Sequence, residues 1–152
     1  MQLPPRTSAA AASGLPAVAG VYLLVMHLPD SHDISVGRLG LHCFRQGWYL
    51  YAGSAKGPGG IRSRCARHLR LDKRKRWHSD YLTRIAQVRQ VWFTEQMSEM
   101  RVVGEPLRFP MPNQPVAGFG ASDSRAHSHL FYRPVCPDVS RLTRRMSLYV
   151  PG

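Results

Sequence analysis

The chain has 152 residues, of which 43% are hydrophobic, so it can form one compact domain with a core and is not wholly disordered. Twenty-one Lys and Arg residues against nine Asp and Glu residues give a net charge of +12. A surplus of this size indicates a polyanionic partner, either nucleic acid or an anionic membrane. The alternative, charge spread for solubility, is disfavoured because eight of the basic residues lie within 62–76, where Asp72 is the one acid.

The cysteines and the N-terminal segment bear on the compartment. Cys43, Cys65 and Cys136 are odd in number and lack the spacing of a metal knuckle, which is typical of reduced core thiols. Residues 1–17 are alanine-rich but broken by prolines, and we interpret them as a flexible leader rather than a signal peptide. No apolar run approaches the ~20 residues of a membrane span. We therefore predict a cytoplasmic protein without membrane association.

The first half of the chain predicts several strands followed by a helix. Residues 20–28, "GVYLLVMHL", are almost continuously apolar, which is typical of a central strand. Two short strands around Gly40 and a third over 48–53 come next. The glycine-rich residues 57–60 end that strand, and a helix is predicted over 61–71. One side of this helix carries an apolar residue at every fourth position and should face the sheet, at Ile61, Cys65 and Leu69.

The second half predicts further alternation of helix and strand. A short helix is expected over 77–86 and a strand over 88–95, and Ser98 is predicted to cap another helix. A proline-rich loop and a Gly/Ser loop then lead to a short strand that ends before Pro134.

These elements together predict the fold class and the domain boundaries. We expect an α/β or α+β domain, with a small mixed and mainly antiparallel central sheet flanked by helices. The domain is predicted to cover 18–133, between the leader and a basic C-terminal tail over 134–152.

Several residues that can carry chemistry occur in a set order along this domain. They are "GVY" (20–22), "YAG" (51–53), Arg64, His68, His78 and Glu99. Around them stand longer stretches, among them "GWYLYAGSAKGPGG", "RHLR", "WHSDYL" and "SHLFY". Taken in order, these motifs resemble the GIY-YIG nuclease superfamily, which includes phage homing endonucleases. Within it they resemble most an uncharacterised prokaryotic family, whose members occur alone or fused to endonuclease III-type proteins.

The resemblance implies a metal-dependent endonuclease that hydrolyses phosphodiester bonds in DNA, in the context of DNA repair. Such a reaction needs charge neutralisation at phosphorus, an activated water and help for the leaving oxygen. By resemblance Glu99 holds the metal, Mg²⁺ or Mn²⁺, and Glu95, four residues earlier, is the rival ligand. Without the family, a glutamate at position 99 would be read as one that the helix dipole favours near a helix N-terminus.

The other catalytic residues implied by the resemblance are two tyrosines, an arginine and two histidines. Arg64 would hold the phosphate with its planar guanidinium group. Tyr22 or Tyr51 would orient or deprotonate water. A base role requires cations such as Arg64 or a metal-bound water nearby, because a free tyrosine has a pKa of ~10. His68 and His78 would hydrogen-bond to the phosphate or the water. The alternative for the tyrosines is ordinary packing on strands, and for Arg64 a solvated position on the helix.

A second set of residues is expected to bind or approach the nucleic acid. Basic side chains on and after the helix should contact the phosphate backbone without reading sequence. They are Lys56, Arg67, Lys73, Arg74, Lys75 and Arg76. Glycines should allow a close approach of backbone to the ligand, and the helix N-terminus that follows them favours anions. The structural glycines predicted are Gly20, Gly53, Gly59 and Gly60.

Two questions stay open at this level. The family often has cysteines where this chain has Ser124 and Ala126, and any metal or redox role of those cysteines would be lost here. The clustered charge alone also fits a non-catalytic module that binds nucleic acid. We expect DNA rather than RNA as the partner, together with a DNA-repair protein that supplies specificity.

Overall fold

The computed structural model describes residues 14–70, 78–95, 130–140 and 143–151, and for residues 78–80 the backbone alone. Its centre is a five-stranded sheet in the order β6-β4-β1-β5-β7, accompanied by a hairpin of β2 and β3. The strands are β1 (Gly20–Leu28), β2 (His32–Ser35), β3 (Leu41–Phe44), β4 (Gly47–Ala55), β5 (Gln87–Thr94), β6 (Leu130–Arg133) and β7 (Ser147–Tyr149). The helices are α1 (Gly60–Leu69) and α2 (His78–Thr83), and a 3₁₀ helix covers Gly37–Leu39.

Strand β1 is the middle of the sheet, which explains its unbroken apolar sequence. It pairs antiparallel with β4 on one side and with β5 on the other. Alternate side chains point to opposite faces, and β1 is buried on both of them. We call the face that carries Tyr22, Leu24 and Met26 the first face, and the face that carries Val21 and Leu23 the second face.

Helix α1 packs on the first face. Ile61, Cys65 and Leu69 are buried in the same cluster as Tyr22 and Tyr51, as the four-residue spacing predicted. Burial of a large aliphatic side chain contributes about 1.5–3 kcal/mol, so this apolar stripe is what attaches the helix to the sheet.

The second face is covered by the C-terminal segment. Val139 and Met146 pack against Val21, Leu23 and the other apolar residues of that face. The segment then adds β7 to the sheet edge beside β5. The sequence was interpreted as a basic tail over 134–152, and β7 was not predicted. Its three residues are too few to show a strand period.

The segment before β1 is attached to α1 by hydrogen bonds. Leu15 is buried, and its carbonyl accepts a 2.6 Å hydrogen bond from Arg62 Nε. The backbone amides of Ile61 and Arg62 donate to the carbonyls of Val18 and Pro16, at 2.8 and 3.0 Å. Residues 14–17, which the sequence analysis placed in a flexible leader, therefore pack against the domain.

This attachment predicts a large effect of Gly60→Ala on stability. Gly60 has a φ of +56°, and a Cβ there would overlap the Val18 carbonyl. A left-handed conformation costs a non-glycine residue about 1–2 kcal/mol, and overpacking about 1–3 kcal/mol. We expect the melting temperature to fall by roughly 5–15 °C, since 1 kcal/mol shifts it by about 2–4 °C at this size.

Gly57→Ala is the matched control for this substitution. Gly57 is exposed, and a Cβ there would have no neighbour within 4 Å. Its melting temperature should stay within about 2 °C of the wild type. Equal melting temperatures for both variants would show that the contact between Val18 and Gly60 does not stabilise the domain.

The predicted fold class is confirmed. The domain is α+β with a mainly antiparallel five-stranded sheet and few helices, and every strand pair among the described residues is antiparallel. The predicted helix at Ser98 lies outside the described residues. The thiols are all free, and the interpretation as core cysteines is right for Cys65, whereas Cys43 and Cys136 are exposed. No helix within the described ranges has the length and apolar content needed to cross a bilayer.

Candidate active site

The register of the two central strands brings both motif tyrosines to the first face. Tyr22 lies opposite Gly53, and Tyr51 lies opposite Leu24, two pairs further along. Because side chains of paired residues share a face, Tyr22 and Tyr51 stand beside one another under α1. The motifs "GVY" and "YAG", which are about thirty residues apart in the sequence, thus form one site.

Helix α1 adds a histidine between the two tyrosines. The Tyr22 hydroxyl and His68 Nε2 are 2.6 Å apart and form a hydrogen bond, and both side chains are only 1% exposed. The Tyr51 ring lies edge-on to the imidazole, with the ring centroids 5.8 Å apart. A hydrogen bond in such a poorly solvated place is stronger than one in water. Tyr22, Tyr51 and His68 therefore form a buried cluster in which the Tyr22 hydroxyl and the His68 ring are in direct polar contact.

Gly53 makes room for the Tyr22 phenol. A Cβ at position 53 would lie 2.5 Å from Tyr22 Cζ and Oη, closer than any ordinary contact. Glycine is thus required here by the chain's own tyrosine. Gly20, at the start of β1, is confined in a similar way, because a Cβ there would lie 2.5 Å from the Thr94 carbonyl oxygen.

The arginines of α1 differ in their surroundings. Arg64 is half-buried and lies one helical turn before His68, so the two side chains share a side of the helix. Arg67 is also half-buried, whereas Arg62 donates to Leu15 and has a structural role. Burial raises the pKa of the Cys65 thiol, which keeps this neighbour of Arg64 neutral. Arg64 is therefore a half-buried cation on the side of α1 that carries His68.

The interpretation of the α1 N-terminus as an anion site needs a correction. Gly59 is the N-cap residue, with a φ of +82°. The first amides of the helix are already used, because Ile61 and Arg62 donate to Val18 and Pro16, and Ser63 donates to Gly59. Glycine at position 60 admits the Val18 backbone rather than a ligand. The site depends on side chains, not on free amides at this helix end.

Most of the chain, including these strands, matches one known protein family. The family described as "Domain of unknown function DUF123" matches residues 21–148. The chain belongs to this family. The DUF123 match begins within β1 and ends within β7, so it includes the segment that covers the second face. Neither the curated proteins nor the solved structures give a significant match to the chain.

In the described part of this DUF123 domain, the carboxylate of Glu95 follows the strand that pairs with the Tyr22 end of β1. No three His, Cys, Asp or Glu side chains come together as a metal site among the described residues. Magnesium often needs only one or two carboxylates, with water and substrate oxygens as its other ligands. Glu95 is exposed and directly follows Thr94, which pairs with Val21 next to Tyr22. Glu99 lies outside the described residues.

Other predicted residues of the domain are only partly described. His78 begins α2, but its side chain is not described. Lys56 is exposed beyond the end of β4, as a contact with nucleic acid requires. The remaining predictions fall outside the described residues, at Lys73, Arg74, Lys75, Arg76, Ser124 and Ala126.

One neighbour of the cluster was not predicted from the sequence. Phe93 of β5 lies opposite Tyr22, on the other side from Gly53, and packs against the first-face core. The alternation of large residues in "VWFT" was the signal that could have found it, since Phe93 and Val91 share a face. Tyr22 is therefore held between an aromatic ring and a glycine.

Proposed function

We propose that the protein is a metal-dependent endonuclease of the GIY-YIG type, which hydrolyses phosphodiester bonds in DNA. The observation that carries the proposal is the hydrogen bond between Tyr22 and His68 beside Tyr51. A tyrosine that only packs in a core is expected to place its hydroxyl against a backbone carbonyl or water. Here two motif tyrosines meet one titratable ring, which is an arrangement able to move a proton.

Tyr22 and His68 would handle the proton of the attacking water. In the tautomer with its proton on Nδ1, His68 accepts the hydrogen bond from the Tyr22 hydroxyl at Nε2. Transfer of the phenol proton to Nε2 would leave Tyr22 Oη able to take a proton from water. General-base assistance of this kind contributes typically 10²–10⁴-fold to a rate. Tyr51, beside the same imidazole, would limit how the ring can turn.

Arg64 would bind the scissile phosphate. The guanidinium group matches the geometry of two phosphate oxygens and keeps its charge at any physiological pH. Its position one turn before His68 supports a phosphate held close to the buried cluster. Removing one such donor from a site of developing negative charge costs about 10²–10³-fold in rate.

A carboxylate after β5 would hold the divalent cation. Glu99 is the residue that the resemblance implies, and Glu95 is the exposed alternative next to the Tyr22 end of β1. A bound Mg²⁺ or Mn²⁺ supplies charge stabilisation at the phosphate and at the leaving oxygen. The substitutions Glu95→Gln and Glu99→Gln distinguish the two candidate ligands. In each variant an amide keeps the size of the side chain and removes its negative charge, so only the variant of the metal ligand should lose activity.

The proposal is tested with a cleavage assay on five labelled substrates: duplex, flap, four-way junction, abasic duplex and single-stranded RNA. Each is incubated with magnesium, with manganese and with a chelator. We expect products on at least one DNA, no products with chelator, and a rate about 10²- to 10³-fold lower in Arg64→Ala. Arg84→Ala is the matched control, since Arg84 is an exposed arginine outside the site, and it should cleave like the wild type.

Two results would contradict the proposal. Cleavage that is unchanged in Arg64→Ala and in both glutamine variants would show that these residues do not form the catalytic site. Absence of products on every substrate, with DNA binding retained, would favour the second candidate function, a non-catalytic module that binds nucleic acid. The net charge of +12 supports that second candidate without any role for the cluster.

A further inference from the structure

The second face of the sheet carries a row of aromatic and basic side chains, far from the tyrosine cluster in register. His27 lies opposite Trp48 across β1 and β4, and Trp48 lies opposite Arg133 across β4 and β6. Trp48 belongs to the second face, because it packs at the margin of the core that Val21 and the C-terminal segment form. With Arg89 of β5 the row runs across four neighbouring strands, at the end of the sheet where β1 finishes.

Trp48 is half-buried and has an unusual pair of neighbours. The centroids of its ring and of the His27 ring are 4.7 Å apart. The guanidinium carbon of Arg89 lies over the indole, 6.0 Å from its centroid, at the outer limit of cation–π attraction. Arg89 is exposed and is held there by a 2.9 Å hydrogen bond from its Nη1 to Gln87 Oε1. An indole is thus displayed between an imidazole and a positioned arginine.

A β-bulge directs Arg89 to this place. Val25 pairs with Gln90 and Met26 pairs with Val88, so Arg89 is the extra residue of β5. In a regular strand Arg89 would share the face of Val91, which is buried in the first-face core. Bulges redirect one side chain at the cost of local pairing. Here the redirected side chain is an arginine, and it arrives over the indole of the second face.

We propose that the row of His27, Trp48, Arg89 and Arg133 binds a single-stranded segment of nucleic acid. A base would stack beside the Trp48 indole, and the two arginines would contact the flanking phosphates. Sheet faces that combine aromatic rings with cations bind unpaired nucleotides in this way, because every base offers a π-face. A duplex would not fit, since its bases are already stacked on one another.

Charge favours nucleic acid over an apolar protein partner. The row has two arginines and a histidine beside one tryptophan, and the chain as a whole carries +12. Burial lowers the pKa of Arg133, whose Nη1 donates to the Tyr132 carbonyl at 2.8 Å, so this cation is already partly dehydrated. A phosphate that replaces the missing solvent would be bound at a lower desolvation cost.

The inference goes beyond the proposed endonuclease and does not need it. The tyrosine cluster lies on the first face and the row lies on the second, with the sheet between them. Binding to the row can therefore be measured with chelator present, where no hydrolysis is expected. Failure of cleavage and failure of this binding are separate results.

The test is fluorescence anisotropy of a labelled ~20-nucleotide oligothymidylate with the full chain and chelator. Trp48→Leu keeps an apolar side chain and removes the stacking surface. We expect binding to weaken about 5- to 150-fold, since stacking is worth about 1–3 kcal/mol per base. Arg89→Gln should reduce the slope of log K against log salt by about 0.7, which corresponds to one phosphate of a single strand. An unlabelled duplex of equal length should compete poorly.

Arg38→Gln is the matched control, because Arg38 is an exposed arginine on the 3₁₀ helix, outside the sheet. It should change the dissociation constant less than twofold and leave the salt slope nearly unchanged. Circular dichroism melting shows whether Trp48→Leu is folded. If Trp48→Leu is unfolded, the salt slope of Arg89→Gln alone tests whether the row binds the oligonucleotide. The proposal is overturned if oligothymidylate does not bind, if folded Trp48→Leu binds like the wild type, or if Arg89→Gln behaves like Arg38→Gln.

Discussion

Tyr22→Phe is expected to lower the rate of DNA cleavage about 10²- to 10⁴-fold while the protein remains folded. The substitution removes the hydroxyl group that lies 2.6 Å from His68 Nε2 and keeps the ring that packs beside Phe93. The range is that of general acid–base assistance in enzymes. The stability cost should be modest, about 1–3 kcal/mol, because His68 Nε2 loses a buried hydrogen-bond partner. Single-turnover cleavage and thermal melting measure the two effects separately.

Tyr49→Phe is the matched control for this variant. Tyr49 is also a buried strand tyrosine of the first face, and its hydroxyl donates a 2.7 Å hydrogen bond to the Arg45 carbonyl. Its loss should lower the melting temperature by a similar amount and leave the cleavage rate unchanged. If Tyr22→Phe and Tyr49→Phe both have lower melting temperatures and both cleave like the wild type, the hydrogen bond between Tyr22 and His68 stabilises the core and has no role in cleavage.

The elements with strong local patterns could be predicted from the sequence. Strand β1 was predicted with the bounds that the structure has, since seven apolar residues among its nine, between turn residues, allow few other structures. Helix α1 was predicted to within two residues at its end, because Ile61, Cys65 and Leu69 repeat at the helical period and glycines precede them. Local propensity and burial agreed at these elements, which is what makes such predictions reliable.

The contacts that depend on distant parts of the chain could not be predicted. Nothing in "SLY" reveals that β7 pairs with β5, and nothing around Val139 indicates that it covers the second face. The hydrogen bonds from Ile61 and Arg62 to the leader carbonyls have no sequence pattern either. The bulge at Arg89 could not be predicted either, because "VRQVWF" also fits a regular strand. The extra residue appears only in the pairing of β5 with β1.

Only part of the candidate site could be predicted from the sequence. Tyr22, Tyr51 and His68 were named as single residues, and the resemblance implied their roles. That the hydroxyl of Tyr22 meets Nε2 of His68, rather than water or a carbonyl, depends on where α1 crosses β1. The reason for the glycine at position 53 also changed. It was predicted to let backbone approach a ligand, and the structure shows it against the Tyr22 ring.

Gly53→Ala is expected to lower the cleavage rate about as much as Tyr22→Phe, although residue 53 has no functional group. The new methyl group would lie 2.5 Å from Tyr22 Cζ and Oη, so the phenol must move. A shift of about 1 Å in a catalytic group is enough for a 10²-fold loss. Overpacking should also destabilise the protein by about 1–3 kcal/mol. The cleavage rate at saturating substrate and the melting temperature are the measurements.

A double-mutant cycle then shows whether Gly53 acts through the hydroxyl of Tyr22. In the Tyr22→Phe background, where Oη is already absent, Gly53→Ala should reduce the rate by less than about threefold, because groups that act as one unit are strongly non-additive. Gly57→Ala, whose Cβ would meet nothing within 4 Å, should leave the rate unchanged in both backgrounds. Full additivity of Gly53→Ala and Tyr22→Phe would mean that the glycine serves the fold of β4 and not the position of the phenol. Non-additivity would make Gly53 a positioning residue, and it would explain why the tyrosine of one strand and the glycine of the next occur together in the sequence.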